Sequence, residues 1–169
     1  MPIPAPILVG SRRDFSIEIL VFGPLAEPSV AEERRLLNLV LPPWQRPEVW
    51  NESQKRRFVE GIFLGLGTGM YVRNGMDWDR DGNCLPMSGW LIDGQQRITA
   101  LRDFIDGKLV IFNDVIFTKM DKPARLRFLN TPFPCFELDY CNDERVLMDL
   151  YDRMNFGGTP HAPEQRVGN

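Results

Sequence analysis

The sequence predicts a mixed α/β domain, a small mixed sheet flanked by about five helices. Two observations carry this. Short apolar runs such as residues 87–92 and 133–138 are bounded by turn residues and are too brief for helices, as strands are. Between them lie segments with apolar residues at i, i+4 spacing, most of them opened by a Ser, Asn or Asp cap. The length of 169 residues, 43% hydrophobic and 25% charged, fits one globular domain with a real core.

Taken in order, residues 1–14 are proline-rich and read as an extended arm, leaving 15–169 as the domain. Residues 15–22 read as a strand, blunted by Glu18. Ser29 with Glu32 forms a capping box and predicts a helix to about Asn38, with Leu36, Leu37 and Val40 on one side. In "LPPWQRPEVW", residues 41–50, the prolines forbid a helix interior, so this stretch is extended and presents Gln45 and Arg46. Asn51 with Gln54 caps the next helix, whose Phe58, Val59, Ile62, Phe63 and Leu66 make a buried stripe. Gly65, Gly67 and Gly69 end it.

Residues 70–73 form a short strand, "NGMDWDRDGN" a polar turn, and 87–92 a further strand. A helix follows at once, with Ile98, Leu101, Phe104 and Ile105 on one face and Gly107 at its end. Residues 108–112 and 115–117 predict a hairpin about Asn113-Asp114. Asp121 caps a short helix holding Leu126 and Leu129, and 133–138 is a strand. Asn142 caps a helix carrying Val146, Leu147, Leu150 and Tyr151. The chain closes in a Gly-Gly turn and one more helical start.

Composition excludes several classes. A net charge of −3 gives no global positive field for nucleic acid. The local basic runs, Arg34-Arg35, Lys55-Arg56-Arg57 and Arg125/Arg127, read first as solvated faces. Three cysteines without a CxxC make neither a disulfide framework nor a structural zinc site, which points to a reducing cytoplasm. No secretory leader and no run of about 18 apolar residues is present, so no membrane partner is expected. His161 is the single histidine, which rules out a His cluster or a Ser-His-Asp triad. "DWDRDGN" imitates the start of a calcium loop, but Ser88 stands where a bidentate Glu belongs, so a hairpin tip is expected.

The chemistry concentrates in "GWLIDGQQRITALRDFIDG", residues 89–107. Gly94 stands at a strand-to-helix seam, and Gln95, Gln96 and Arg97 fall in the first helical turn, where free N–H groups and the helix dipole favour an anion. Arg97 offers a fork suited to phosphate oxygens, and Asp93 a ligand for Mg2+ or a hold on water. The same residues also read as a plain cap, Asp93, and a surface ion-pair partner, Arg97.

Three ordered stretches, "LPPWQRPEVW", "IDGQQRITAL" and "DRMNFGGTPHAPEQR", together resemble the N-terminal domain of the GmrSD-type modification-dependent restriction enzymes, on the ParB/sulfiredoxin-like fold. The resemblance implies an NTP-binding pocket with hydrolysis or a nucleotide switch. Asp93, Gln96 and Arg97 would carry the phosphate chemistry, with Mg2+ on Asp93. Gln45, Arg46, Gly94, Gln95, Thr99, Arg153, Asn155, Gly157, Gly158 and Thr159 would line the nucleotide site. It also brings DNA and a larger defence protein into view as partners. His161 departs from the family's usual aliphatic residue, and the chain closes soon after Glu164, so a self-sufficient nuclease is not expected. Gln95 occupies the place of the sulfiredoxin cysteine, which excludes thiol repair.

Overall fold

The computed structural model describes residues 3–156. Among these residues are six strands: β1 (Gly10–Arg13), β2 (Arg35–Leu36), β3 (Leu39–Val40), β4 (Tyr71–Arg73), β5 (Leu91–Asp93) and β6 (Cys135–Leu138). Five α-helices accompany them: α1 (Ile17–Phe22), α2 (Glu52–Phe63), α3 (Gln95–Ile105), α4 (Lys122–Leu129) and α5 (Glu144–Phe156). The main sheet runs β1-β6-β4-β5, while β2 and β3 form a separate ribbon. β4 lies parallel to β6, in register Tyr71↔Cys135, and antiparallel to β5. The sheet is therefore mixed, as the sequence predicts.

Strand alternation divides the core in two. Tyr71, Leu91 and Cys135 face one side, packed with Val59, Ile62, Ile98, Leu101, Phe104 and Phe128. Val72, Ile92 and Phe136 face the other, where Leu147, Leu150 and Tyr151 of α5 cover them. β5 is thus held between α3 and α5, and its last residue, Asp93, emerges where both helices come close.

Four of the expected elements are corrected. The arm is not wholly free of structure, because β1 adds an exposed edge to β6, with Gly10 opposite Leu138. Residues 15–22 contain a helix: α1 buries Ile17 and Leu20, three residues apart, and its β-branched residues misled the strand reading. Residues 29–38 hold only a 3-10 turn (Glu32–Arg34) before the β2–β3 ribbon. Leu37 turns that ribbon at φ +54°, and Asn38 ties it to α1 by donating to the Ile19 carbonyl at 2.7 Å. Past residue 105 the expected hairpin shrinks to one bridge, Ile111↔Val115, followed by a 3-10 turn at Phe117–Lys119.

Caps fared better. Asn51 and Gln54 make the reciprocal box at 2.9 Å each, and Asp121 accepts from the Ala124 N–H at 2.7 Å. On α5 it is Asp143, not Asn142, that accepts from the Arg145 N–H. The α2 stripe is shorter than expected, since Leu66 lies past the helix end and is exposed, as Phe63 partly is. The Asp77–Asn83 loop is a hairpin tip: Asp79 accepts from the Asn83 side chain and from the backbone of Asn83 and Asp81, which holds its carboxyl below the ordinary range.

Candidate functional site

β5 ends at Asp93, Gly94 turns the chain, and α3 starts at Gln95. Gly94 sits at φ +109°, a torsion that side chains rarely adopt. A Cβ there would lie 2.7 Å from Cβ of Tyr71, so the neighbouring strand requires the glycine. Gly94 gives α3 no side-chain cap, which leaves the N–H groups of the first turn directed outward.

A cleft of about 160 Å³ opens at this turn. Gln45, Arg46 and Trp50 form one wall, Asp93 to Arg97 another, and Asn155 of α5 a third. Residues from all three sequence motifs therefore meet around the N-terminus of α3.

Polar contacts fix each of these groups. Arg97 reaches back to Asp93 at 3.0 Å, with the two side chains only 24% and 32% exposed. Its guanidinium lies over Gly69, where an added Cβ would stand 2.3 Å from Nη1. Gly69 escaped sequence reading as more than a helix stop; its signal was the repeated Gly-x-Gly-x-Gly before the strand. Arg46 has no carboxylate partner among the described residues and makes one long bond, 3.5 Å, to Asn155 Oδ1. With Asp93 balancing Arg97, Arg46 leaves the cleft one positive charge in excess. Tyr151 lies alongside; burial raises its phenol above the ordinary range, against the pull of Arg46.

The two glutamines are the most informative. Gln96 Oε1 accepts from the N–H groups of Val49 and Trp50, each at 3.0 Å. The amide is thereby locked, and its Nε2 is buried without a partner among the described residues. Gln45 Oε1 is likewise buried and unpartnered. Buried side-chain polar atoms nearly always have partners, and leaving one without costs about 1–3 kcal/mol. Gln45 and Gln96 both line this cleft.

Other expected site residues stand elsewhere. Thr99 is 1% exposed, buried within α3 and absent from the cleft lining. Arg153 is 69% exposed and pairs with Asp149 at 2.9 Å. Two residues before Asn155, it projects from nearly the opposite side of α5. Gly157, Gly158 and Thr159 lie outside the described residues. Trp44 is spent on packing, edge-on to Trp90 and Tyr151, whereas Trp50 does reach the cleft. No group of three or more His, Cys, Asp or Glu side chains gathers among the described residues. Nor is any described helix long and apolar enough to cross a membrane.

Fold and site together define a mixed α/β domain with a cationic cleft at a glycine-initiated helix. The model of the GmrSD restriction endonuclease N-terminal domain matches residues 30–128, more than half of the chain, and the chain belongs to that family. The match takes in the first two motifs and stops short of α5, which contributes Asn155. No curated protein and no solved structure matches the chain.

Proposed function

We propose that this cleft binds the phosphate chain of a nucleoside triphosphate, and that the domain hydrolyses it or uses it as a switch within a restriction or phage-defence system. The observation that carries the reading is the pair of buried, unpartnered amide atoms on Gln45 and Gln96, set beside the uncompensated Arg46. A phosphate oxygen would accept from Gln96 Nε2, from Arg46 and from the first N–H groups of α3, an arrangement suited to anions. Gln45 Oε1 needs a donor, which a ribose hydroxyl or a base amino group supplies. Trp50 offers a flat apolar wall beside it.

Arg97 begins in an ion pair with Asp93. An arriving phosphate competes for that guanidinium and frees the carboxylate to orient water. Mg2+ is commonly held by one or two carboxylates together with substrate phosphates, so a single lining carboxylate fits it. Asp93 would hold the ion, whose charge offsets that of the phosphates. The volume of about 160 Å³ is below the roughly 300 Å³ at which small-molecule pockets begin. It suits the phosphate end rather than the whole nucleotide.

The test is a panel of four NTPs, their diphosphates and pyrophosphate, titrated with and without Mg2+ while phosphate release is followed. Binding of triphosphates with release supports hydrolysis, and binding without release supports the switch. Failure of every phosphate compound to bind would sink both.

A further inference from the structure

The segment 41–50 carries Gln45, Arg46 and Trp50, yet among the described residues no helix or strand falls within it. Something else must hold it against α3. Gln96 takes two of its N–H groups, and one residue earlier Glu48 is gripped on both carboxylate oxygens. Lys55 of α2 donates to Oε2 at 2.8 Å and Arg102 of α3 to Oε1 at 3.1 Å. Both cations also donate to Asp103, Lys55 at 2.6 Å and Arg102 at 2.8 Å. Two cations and two carboxylates thus close a neutral ring across three separate pieces of chain.

We propose that Glu48 is a positioning residue for the cleft: it anchors the 41–50 segment to α2 and α3 so that the Val49 and Trp50 N–H groups stay on Gln96 and hold its donor toward the ligand. Nothing in the ring touches the cleft itself, since neither Glu48, Lys55, Arg102 nor Asp103 lines it. Asp103 and Lys55 are largely shielded, at 13% and 12% exposure, whereas Glu48 is at 36%. The shielded Asp103 still satisfies both cations when Glu48 is removed, so the loss falls on the segment rather than on the α2–α3 contact.

The affinity arm of the test rests on the nucleotide reading; the exchange arm does not. In Glu48→Gln without ligand, amide hydrogen exchange at Val49 and Trp50 should rise about tenfold or more, while amides within α2 and α3 keep wild-type rates. Unchanged exchange at those two amides overturns the proposal, whatever the protein binds. With the triphosphate that wild type binds, Glu48→Gln should weaken affinity about tenfold, Gln96→Leu should weaken it at least as much, and the double variant no further. Glu48→Asp should recover part of the loss. Additive losses would show that Glu48 acts apart from Gln96 and would also overturn the proposal. If wild type binds no phosphate compound, the nucleotide reading fails while the exchange result still decides the role of Glu48.

Discussion

Gln96 shows how much a single side chain can convey once its surroundings are known. The sequence places it in the first turn of a helix, and the family resemblance implies for it a catalytic part in phosphate chemistry. The structure adds that its oxygen is committed to two backbone N–H groups, while its nitrogen is buried without a partner among the described residues. Arg153 teaches the opposite lesson. It shared the Arg-plus-amide composition of the site motifs, yet its helical phase turns it to solvent and to Asp149. Arg153→Ala should therefore leave phosphate affinity within experimental error of wild type, by titration. A loss of tenfold would return Arg153 to the site. Gly94 belongs to the fold as much as to the site: Gly94→Ala must place a Cβ against Tyr71 at φ +109°. It should cost about 1–3 kcal/mol in urea unfolding, with the strand-to-helix turn distorted.

At the scale of elements, what the sequence showed clearly was what local chemistry decides. Asn51-Gln54 and Asp121 announced the starts of α2 and α4 because a cap is satisfied within one helical turn. Residues 15–22 and 29–38 were misread because tertiary contacts overrode local preference. α1 is β-branched in sequence but packs by its i, i+3 face, and the Ser29 box is overridden by a ribbon that Arg35 and Asn38 fasten to neighbouring carbonyls. Neither partner is visible from a short window. The Asn51 cap has a second role, since it directly follows Trp50 and fixes where the cleft segment ends. Asn51→Ala should lower stability by about 1 kcal/mol in denaturant unfolding. A change under a few tenths would mean that the box adds nothing beyond the packing of α2.

Across the molecule, the three motifs are legible in the sequence but not how they meet. Gln45, Gln96 and Asn155 share one cleft because β5 is sandwiched between α3 and α5, and because the Glu48 ring holds an irregular segment in place. Glu48 had no sequence signature; a lone Glu in "RPEVW" reads as a surface charge. The ring also sets the pH behaviour of the fold. Burial works against the charge on Asp103, but the bonds from Lys55 and Arg102 outweigh it and hold the carboxyl below its ordinary 3.8. Its contribution is present above that value and is lost as pH falls through the lower folded value. Lys55 is the mirror case. Burial opposes its charge, the bonds to Asp103 and Glu48 raise it above 10.5, and its contribution is lost as pH climbs through the higher folded value. The contribution of these two ring groups should thus be constant between these limits, whereas above about 9 burial of the Cys135 thiol, pushed up to about 11, makes stability fall. Asp103→Asn should lower the curve at neutral pH, converge on wild type in acid and so flatten the acid limb in urea midpoints measured against pH; an acid limb as steep as that of wild type would overturn this.

In the proposed function Arg46, the one cleft cation without a carboxylate among the described residues, meets a phosphate. Isothermal titration of a nucleoside triphosphate with Mg2+ into wild type and Arg46→Ala, side by side, tests it most directly. Wild type should bind measurably, and Arg46→Ala should lose about one to two decades of affinity at an unchanged melting temperature. Equal affinities in the two proteins, or no binding by wild type, would contradict it.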